Sequence, residues 1–194
     1  MTVLSFTITF HSPFRVGAAY ARDGVHAALD EGRELPGDHL KGVMRFAAGE
    51  LFGQRSHWAV DEVFGSRAAP SPWSWSAAEP VTADKKWEPG RRHRVRIDPD
   101  THSAHKDHLV LGEHAWAETA RFTIARVGIP HPAARLADED HARILRCAAA
   151  GVHGLGAWRR RGLGWVGITP DDGAVTAADI TVILALARGT ETAR

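Results

Sequence analysis

The stretch "GVHGLGAWRRRGLGWVGI" (Gly151 to Ile168) places six glycines around the consecutive arginines Arg159, Arg160 and Arg161. Glycine is entropically costly to order, so this density needs a backbone reason. Successive N–H groups in glycine-permitted conformations form a concave anion site, and adjacent arginines add bidentate hydrogen bonds to phosphate. Gly154, Gly156, Gly162 and Gly164 with Arg159 to Arg161 are therefore candidates for holding phosphate, and Trp158 and Trp165 flank them as surfaces on which bases could stack, a combination typical of single-strand binding. The competing reading is a tight connection into a strand, with exposed arginines and packed tryptophans. No Gly-Lys-Ser/Thr follows, so the loop is not the nucleotide-binding loop that opens a helix.

A second candidate is "LPGDHLKG", where Pro36-Gly37 makes a sharp entry into a helix and Lys41 can face an anion at its N-terminus. Arg45, one turn further on, and Arg15, after the first strand, are further cationic candidates for contact with such an anion. "RDG" at Arg22 to Gly24 sets the carboxylate Asp23 in a loop. On its own spacing it reads as a turn residue, as Asp-Gly commonly is. His102, His105 and His108 recur at every third residue, a pattern open to RNA contact, metal binding or a solvated hairpin.

These residues need a scaffold. "TVLSFTITF" alternates as a strand. Leu40, Val43, Met44, Ala47 and Leu51 make one apolar helical face, with Asp38 as a cap and Gly53 as a stop. Four prolines and "WSWS" suggest an irregular insertion over 54–92. "RHRVRID" reads as a strand leading into a thumb-like β-hairpin over 93–118, and "LVLGEHAWAETARFTIARV" as one or two strands broken at Gly112. A second helix is predicted from Asp138 to Ala150 with Asp138 as its cap and Cys147 facing inward. "LGWVGI" is a strand, while "TAADITVILALAR" suits either a capped helix or a strand. The order is βαββαβ, a single α+β domain over residues 1–194 with a ferredoxin-like (RRM-like) core.

The totals exclude some classes. The net charge is +1, so a nucleic-acid reading rests on placement of charge: six cationic residues lie in "KKWEPGRRHRVR" and a second cluster at Arg159 to Arg161. One cysteine rules out an internal disulfide framework. No apolar run reaches membrane-spanning length and no signal peptide is expected, so a cytoplasmic location without membrane contact is the expectation.

"ELPGDHLKGVMRFAAGELFG" resembles the "hPGSSLKGxLRxxxExLFG" segment of RAMP-superfamily CRISPR proteins, with Asp38-His39 standing in place of Ser-Ser. "GLGAWRRRGLGWVGI" resembles their C-terminal glycine-rich signature. "VFGS" and "RVRIDPDTHSAHKDHL" resemble two further segments of the type III members. All four occur in the family's order. The likeness is to the repeated backbone subunit of Csm/Cmr complexes, which polymerises along CRISPR RNA. It implies binding of a CRISPR RNA and a complementary target RNA, and assembly with copies of itself and other effector subunits. It also implies metal-dependent cleavage of the paired target through Asp23 with Mg2+ or Mn2+; His26, nearby, is not ordinarily required. The alternatives are a non-catalytic RNA-binding subunit of the same assembly, a stand-alone guide-processing endonuclease, for which one domain is short, and a ferredoxin-like domain with an unrelated partner.

Overall fold

The computed structural model describes residues 2–17, 24–54, 57–128 and 134–188. Strand β1 (Val3–Phe10) sends Leu4, Phe6, Ile8 and Phe10 into the core, and leaves the intervening positions on the other face. That period of two is what a half-buried strand requires. β1 runs through the middle of the sheet because both its edges are paired. It is antiparallel to β6 (Thr119–Arg126), with Phe6 opposite Phe122, and antiparallel to β7 (Val166–Pro170), with Ile8 opposite Ile168. The Phe6 and Phe122 rings stack at 5.1 Å.

The sheet order is β2-β6-β1-β7, with β2 at Trp73–Trp75 and β3 (Glu79–Pro80) also pairing with β6. The four main strands taken in chain order lie 2-3-1-4 across the sheet, the ferredoxin-like arrangement expected from the βαββαβ order. The second core strand is Trp73–Trp75, inside the stretch read as an irregular insertion; "RHRVRID" belongs instead to a separate hairpin. A three-residue strand between prolines is shorter than any hydrophobic period can reveal. The same stretch also carries the short helix α2 (Trp58–Phe64).

Helices α1 (Gly37–Leu51) and α3 (Asp138–Ala150) cover one face of the sheet and touch each other. Leu40, Met44, Ala47 and Ala48 of α1 are buried, as are Ala142, Ile144, Leu145, Cys147, Ala148 and Ala149 of α3. Each large apolar side chain removed from water contributes about 1.5–3 kcal/mol. The expected caps differ in detail. Pro36 and Ala137 hold the N-cap positions without a side-chain bond, so Asp38 and Asp138 sit in the first turns, where carboxylates suit the helix dipole. Gly53, at φ 68°, does close α1, its N–H donating to the Glu50 carbonyl.

The break predicted at Gly112 falls instead at Ala117-Glu118, between β5 (Val110–Trp116) and β6. The ambiguous C-terminal segment is helix α4 (Ala177–Arg188). A reciprocal box decides it: the Thr176 N–H donates to the Asp179 carboxylate, and the Asp179 N–H donates to Thr176 Oγ1. Among the described residues no helix is long and apolar enough to cross a membrane.

β4 (Glu88–Arg94) pairs with β5 in a two-stranded sheet of its own, with Glu88 opposite Trp116 and Arg94 opposite Val110. Its base is held to the core by the Phe14–Ala115 bridge and by Trp87, whose ring meets Phe10 and Phe14 edge-on at 5.6 and 4.9 Å. Beyond it, residues 95–109 turn at Asp98, whose carboxylate accepts the N–H groups of Asp100 and Thr101 and is held below the usual carboxylate range by them.

Candidate nucleic-acid interface

The glycine loop joins α3 to β7 and packs back onto the start of the chain. Gly154 bridges Trp165; the Leu155 N–H donates to the Gly164 carbonyl at 2.8 Å, and the Gly164 N–H donates to the Pro13 carbonyl at 2.7 Å. The Ala157 N–H donates to the Arg15 carbonyl at 2.7 Å. The Gly156 N–H donates to Nε2 of His39 at 3.0 Å. Four N–H groups that a phosphate cradle would use are thus engaged inside the protein. Glycine at 156 answers a close approach: its φ is 72°, and a Cβ there would lie 2.2 Å from the Arg15 carbonyl oxygen. The tight-connection reading therefore accounts for the glycines, and the cationic side chains carry what the loop offers an anion.

Those side chains converge. Arg159–Arg161 form a single exposed 3-10 turn between Trp158, at φ 60°, and Gly162. Trp158 lies beneath two guanidinium groups, Arg15 at 5.2 Å and Arg94 at 5.0 Å from its ring centroid. The ring edge lies over the backbone of Gly112 on β5, where a Cβ would stand 2.1 Å from the indole. Arg92 on β4 donates to the Arg161 carbonyl at 2.9 Å. Arg92 and Arg94 share one face of β4 because side chains two apart on a strand point the same way. Trp158 is thereby occupied as the joint between hairpin and loop, and the two basic clusters of the sequence become one surface built from Arg15, Arg92, Arg94 and Arg159 to Arg161.

Arg15 is also a structural residue: its guanidinium donates to the Ala27 and Ala28 carbonyls at 3.3 and 3.4 Å. Burial pulls its pKa down, partly opposed by the Glu113 carboxylate. His39 has its pKa lowered by burial and by the nearby Arg159, which suits a neutral imidazole accepting the Gly156 N–H. This bond ties "LPGDHLKG" to the glycine loop, and its acceptor is one of the two residues that depart from the family's Ser-Ser.

The remaining candidates separate. Lys41 lies over the Trp75 ring at 5.4 Å. Arg45 ties α1 to α2, pairing with Asp61 at 2.5 Å and donating to the Gly65 carbonyl. Its charge is therefore committed to an internal bridge. Asp23 lies outside the described residues. His105 and His108 meet edge-on at 4.3 Å in the exposed turn of the hairpin. Among the described residues no group of three or more His, Cys, Asp or Glu could hold a metal ion. Trp73 and Trp75, the tryptophans of "WSWS", pack inward: Trp73 donates from Nε1 to Nδ1 of His141 at 2.9 Å, and Trp75 stacks on Phe64.

Three residues central to this surface were not singled out as contacts by sequence reasoning. Arg92 and Arg94 had a visible signal, the basic run on an alternating strand, but nothing local says which loop that strand faces. His39 had only its departure from Ser-Ser.

The model of the RAMP superfamily matches residues 7–167, most of the chain. The chain is a member of the RAMP superfamily. No curated protein matches it by sequence. Among solved structures, a chain of a type III-B Cmr-beta complex bound to cognate target RNA is similar with a TM-score of 0.58 and 15% identity. The alignment covers 87% of this RAMP chain and 60% of that one, so this chain spans about three-fifths of the length of the structure it resembles. At that identity the likeness speaks for the fold, and it agrees with the ferredoxin-like order of the sheet.

Proposed function

We propose that this RAMP protein is an RNA-binding backbone subunit of a type III-like CRISPR effector, gripping the guide RNA and assembling with further copies of itself and with companion subunits. The observation that carries the reading is the joint at Trp158, which gathers Arg15, Arg92, Arg94 and Arg159–Arg161 onto one surface. Family membership and the likeness to a chain from an RNA-bound Cmr complex support it. Guanidinium groups so grouped suit a polyphosphate backbone, and they position RNA without reading its sequence.

The test is the salt dependence of binding to single-stranded RNA, measured on the full chain and on a variant with Arg159, Arg160 and Arg161 changed to Gln. Each phosphate contact contributes about 0.7 to the slope of log affinity against log salt for single strands. Losing three contacts lowers the slope by up to about 2, and an unchanged slope would remove the arginine turn from the interface. Cleavage of a guide-paired target is the second part of the proposal and rests on Asp23 with Mg2+ or Mn2+. In an assembled complex with guide, matched target and divalent metal, Asp23→Ala retains binding of guide and target and abolishes cutting; continued cutting by that variant assigns the chemistry elsewhere.

A further inference from the structure

The glycine loop ends on an aromatic residue whose exposure the core does not explain. Trp165 is 63% exposed, whereas Val166 and Ile168 immediately after it are buried. An indole left in water at the end of a well-packed loop retains an unused apolar face. Its backbone, by contrast, is tightly held: the Trp165 N–H donates to Ser12 Oγ at 2.9 Å, and its carbonyl accepts the His11 N–H at 2.9 Å. The His11 ring lies 4.7 Å from the indole, tilted by 46°. The pair is thus a fixed aromatic ledge rather than a wandering side chain, because these hydrogen bonds hold the backbone of both residues just beyond the Phe10–Val166 pair of β1 and β7.

The ledge borders a cavity. His11, Ser12, Pro13, Glu88, Gly90 and His114 are among the residues around a recess of about 360 Å³ between the start of the β1–α1 connection and the hairpin. At its base the His114 ring covers Gly90, where a Cβ would stand 2.3 Å from Nε2. His114 Nδ1 is shut off from solvent, so only the remainder of the ring can face the recess. Hydroxyl, carboxylate and imidazole groups beside an aromatic ledge supply both acceptors and donors, the mixture that the edge of a nucleobase can meet.

We infer that Trp165 and His11 form a stacking platform for one unpaired RNA base, with the recess at Ser12, Glu88 and His114 facing the edge of that base. The inference rests on the RNA-binding reading above and adds to it a contact that depends on the base instead of the phosphate. Trp165 follows Arg159–Arg161 by only a few residues along the same loop, so a strand whose phosphates lie on the arginines brings a base within reach of the indole. The center of the sheet's open face has no such surface: Ser5, Thr7 and Thr9 of β1 lie opposite Thr123, Arg121 and Thr119 of β6, and none of these is aromatic.

The experiment compares an adenosine oligomer with an abasic ribose-phosphate oligomer of the same length, each titrated with the full chain and with Trp165→Ala, Trp165→Phe and His11→Ala. Stacking of one base on an aromatic side chain corresponds to about 5- to 150-fold in affinity. Trp165→Ala weakens binding of the adenosine oligomer by a factor in that range and leaves binding of the abasic oligomer unchanged, which also shows that the variant is folded. Trp165→Phe keeps most of the preference for bases, and His11→Ala loses part of it. Equal weakening on both oligomers, or no weakening, overturns the platform while the arginine interface stands. Binding of neither oligomer by the unaltered chain overturns both readings.

Discussion

Gly156→Ala tests the packing of the loop against the first strand's exit. Two costs can be worked from the geometry. The first is dihedral: φ is 72°, and a left-handed conformation costs a residue with a Cβ about 1–2 kcal/mol. The second is contact: the new Cβ would stand 2.2 Å from the Arg15 carbonyl oxygen and 2.7 Å from its carbon, both backbone atoms. Relief requires the loop to move away, and the two bonds at that point, Ala157 N–H to Arg15 carbonyl and Gly156 N–H to His39, are lost or stretched. At about 0.5–1.5 kcal/mol each these add about 1–3 kcal/mol. The total is about 2–5 kcal/mol. Gly162→Ala supplies the control, since φ is 76° but the nearest atom to its Cβ is the far end of Arg92 at 3.9 Å. It carries the dihedral cost alone, about 1–2 kcal/mol. Urea unfolding of both variants, compared at equal slope, measures the difference. Gly156→Ala unfolds at clearly lower urea than Gly162→Ala. Equal midpoints would refute the seat of residue 156 on the Arg15 backbone, and with it the account of why glycine stands there.

His141 is buried between Trp73 and Glu62, with Arg126 and Asp138 nearby, and burial is the main cause that depresses its pKa. The folded state therefore disfavours the imidazolium, so the stability is full above the unfolded value of about 6.5 and falls as pH drops through the lower folded value. His141→Gln flattens the decline in the urea midpoint between pH 7.5 and 5.5, by up to about 1.4 kcal/mol per pH unit; an identical decline in both proteins would count against this site as its source. Cys147 is buried and its thiol is pushed up to about 11, mainly by burial. At pH 8 its thiolate fraction is on the order of 0.1%, so the native chain resists iodoacetamide while the urea-unfolded chain reacts; equal rates would contradict its place under α3.

Elements with a long period were readable from the residues. β1, α1 and α3 each carry enough alternation or helical spacing to declare themselves; the βαββαβ order was reached by counting "RHRVRID" as the second core strand, a place that Trp73–Trp75 holds instead. β2 was not readable, because three residues between prolines hold less than two periods of the pattern, and its membership of the sheet is set by pairing with β6, far along the chain. The caps at Asp38 and Asp138 shifted by one or two positions because the preceding Pro36 and Ala137 already adopt the extended cap conformation.

The candidate site divides in the same way. The sequence alone determined that cationic residues cluster in two places and that a glycine-dense loop precedes the last strand, and its four ordered motifs carry the resemblance to RAMP proteins. Only the folded chain decided that the two clusters are one surface, since Trp158 must find Gly112 on another strand to bring Arg94 and Arg15 to its two guanidinium contacts. It also decided that Arg45 is bound internally to Asp61 and that the glycines serve close packing more than an open cradle. The physical reason is one of range. Propensity and periodicity act over a few neighbouring residues, whereas the partner of a guanidinium or a backbone N–H is chosen by which distant segments the buried core forces together.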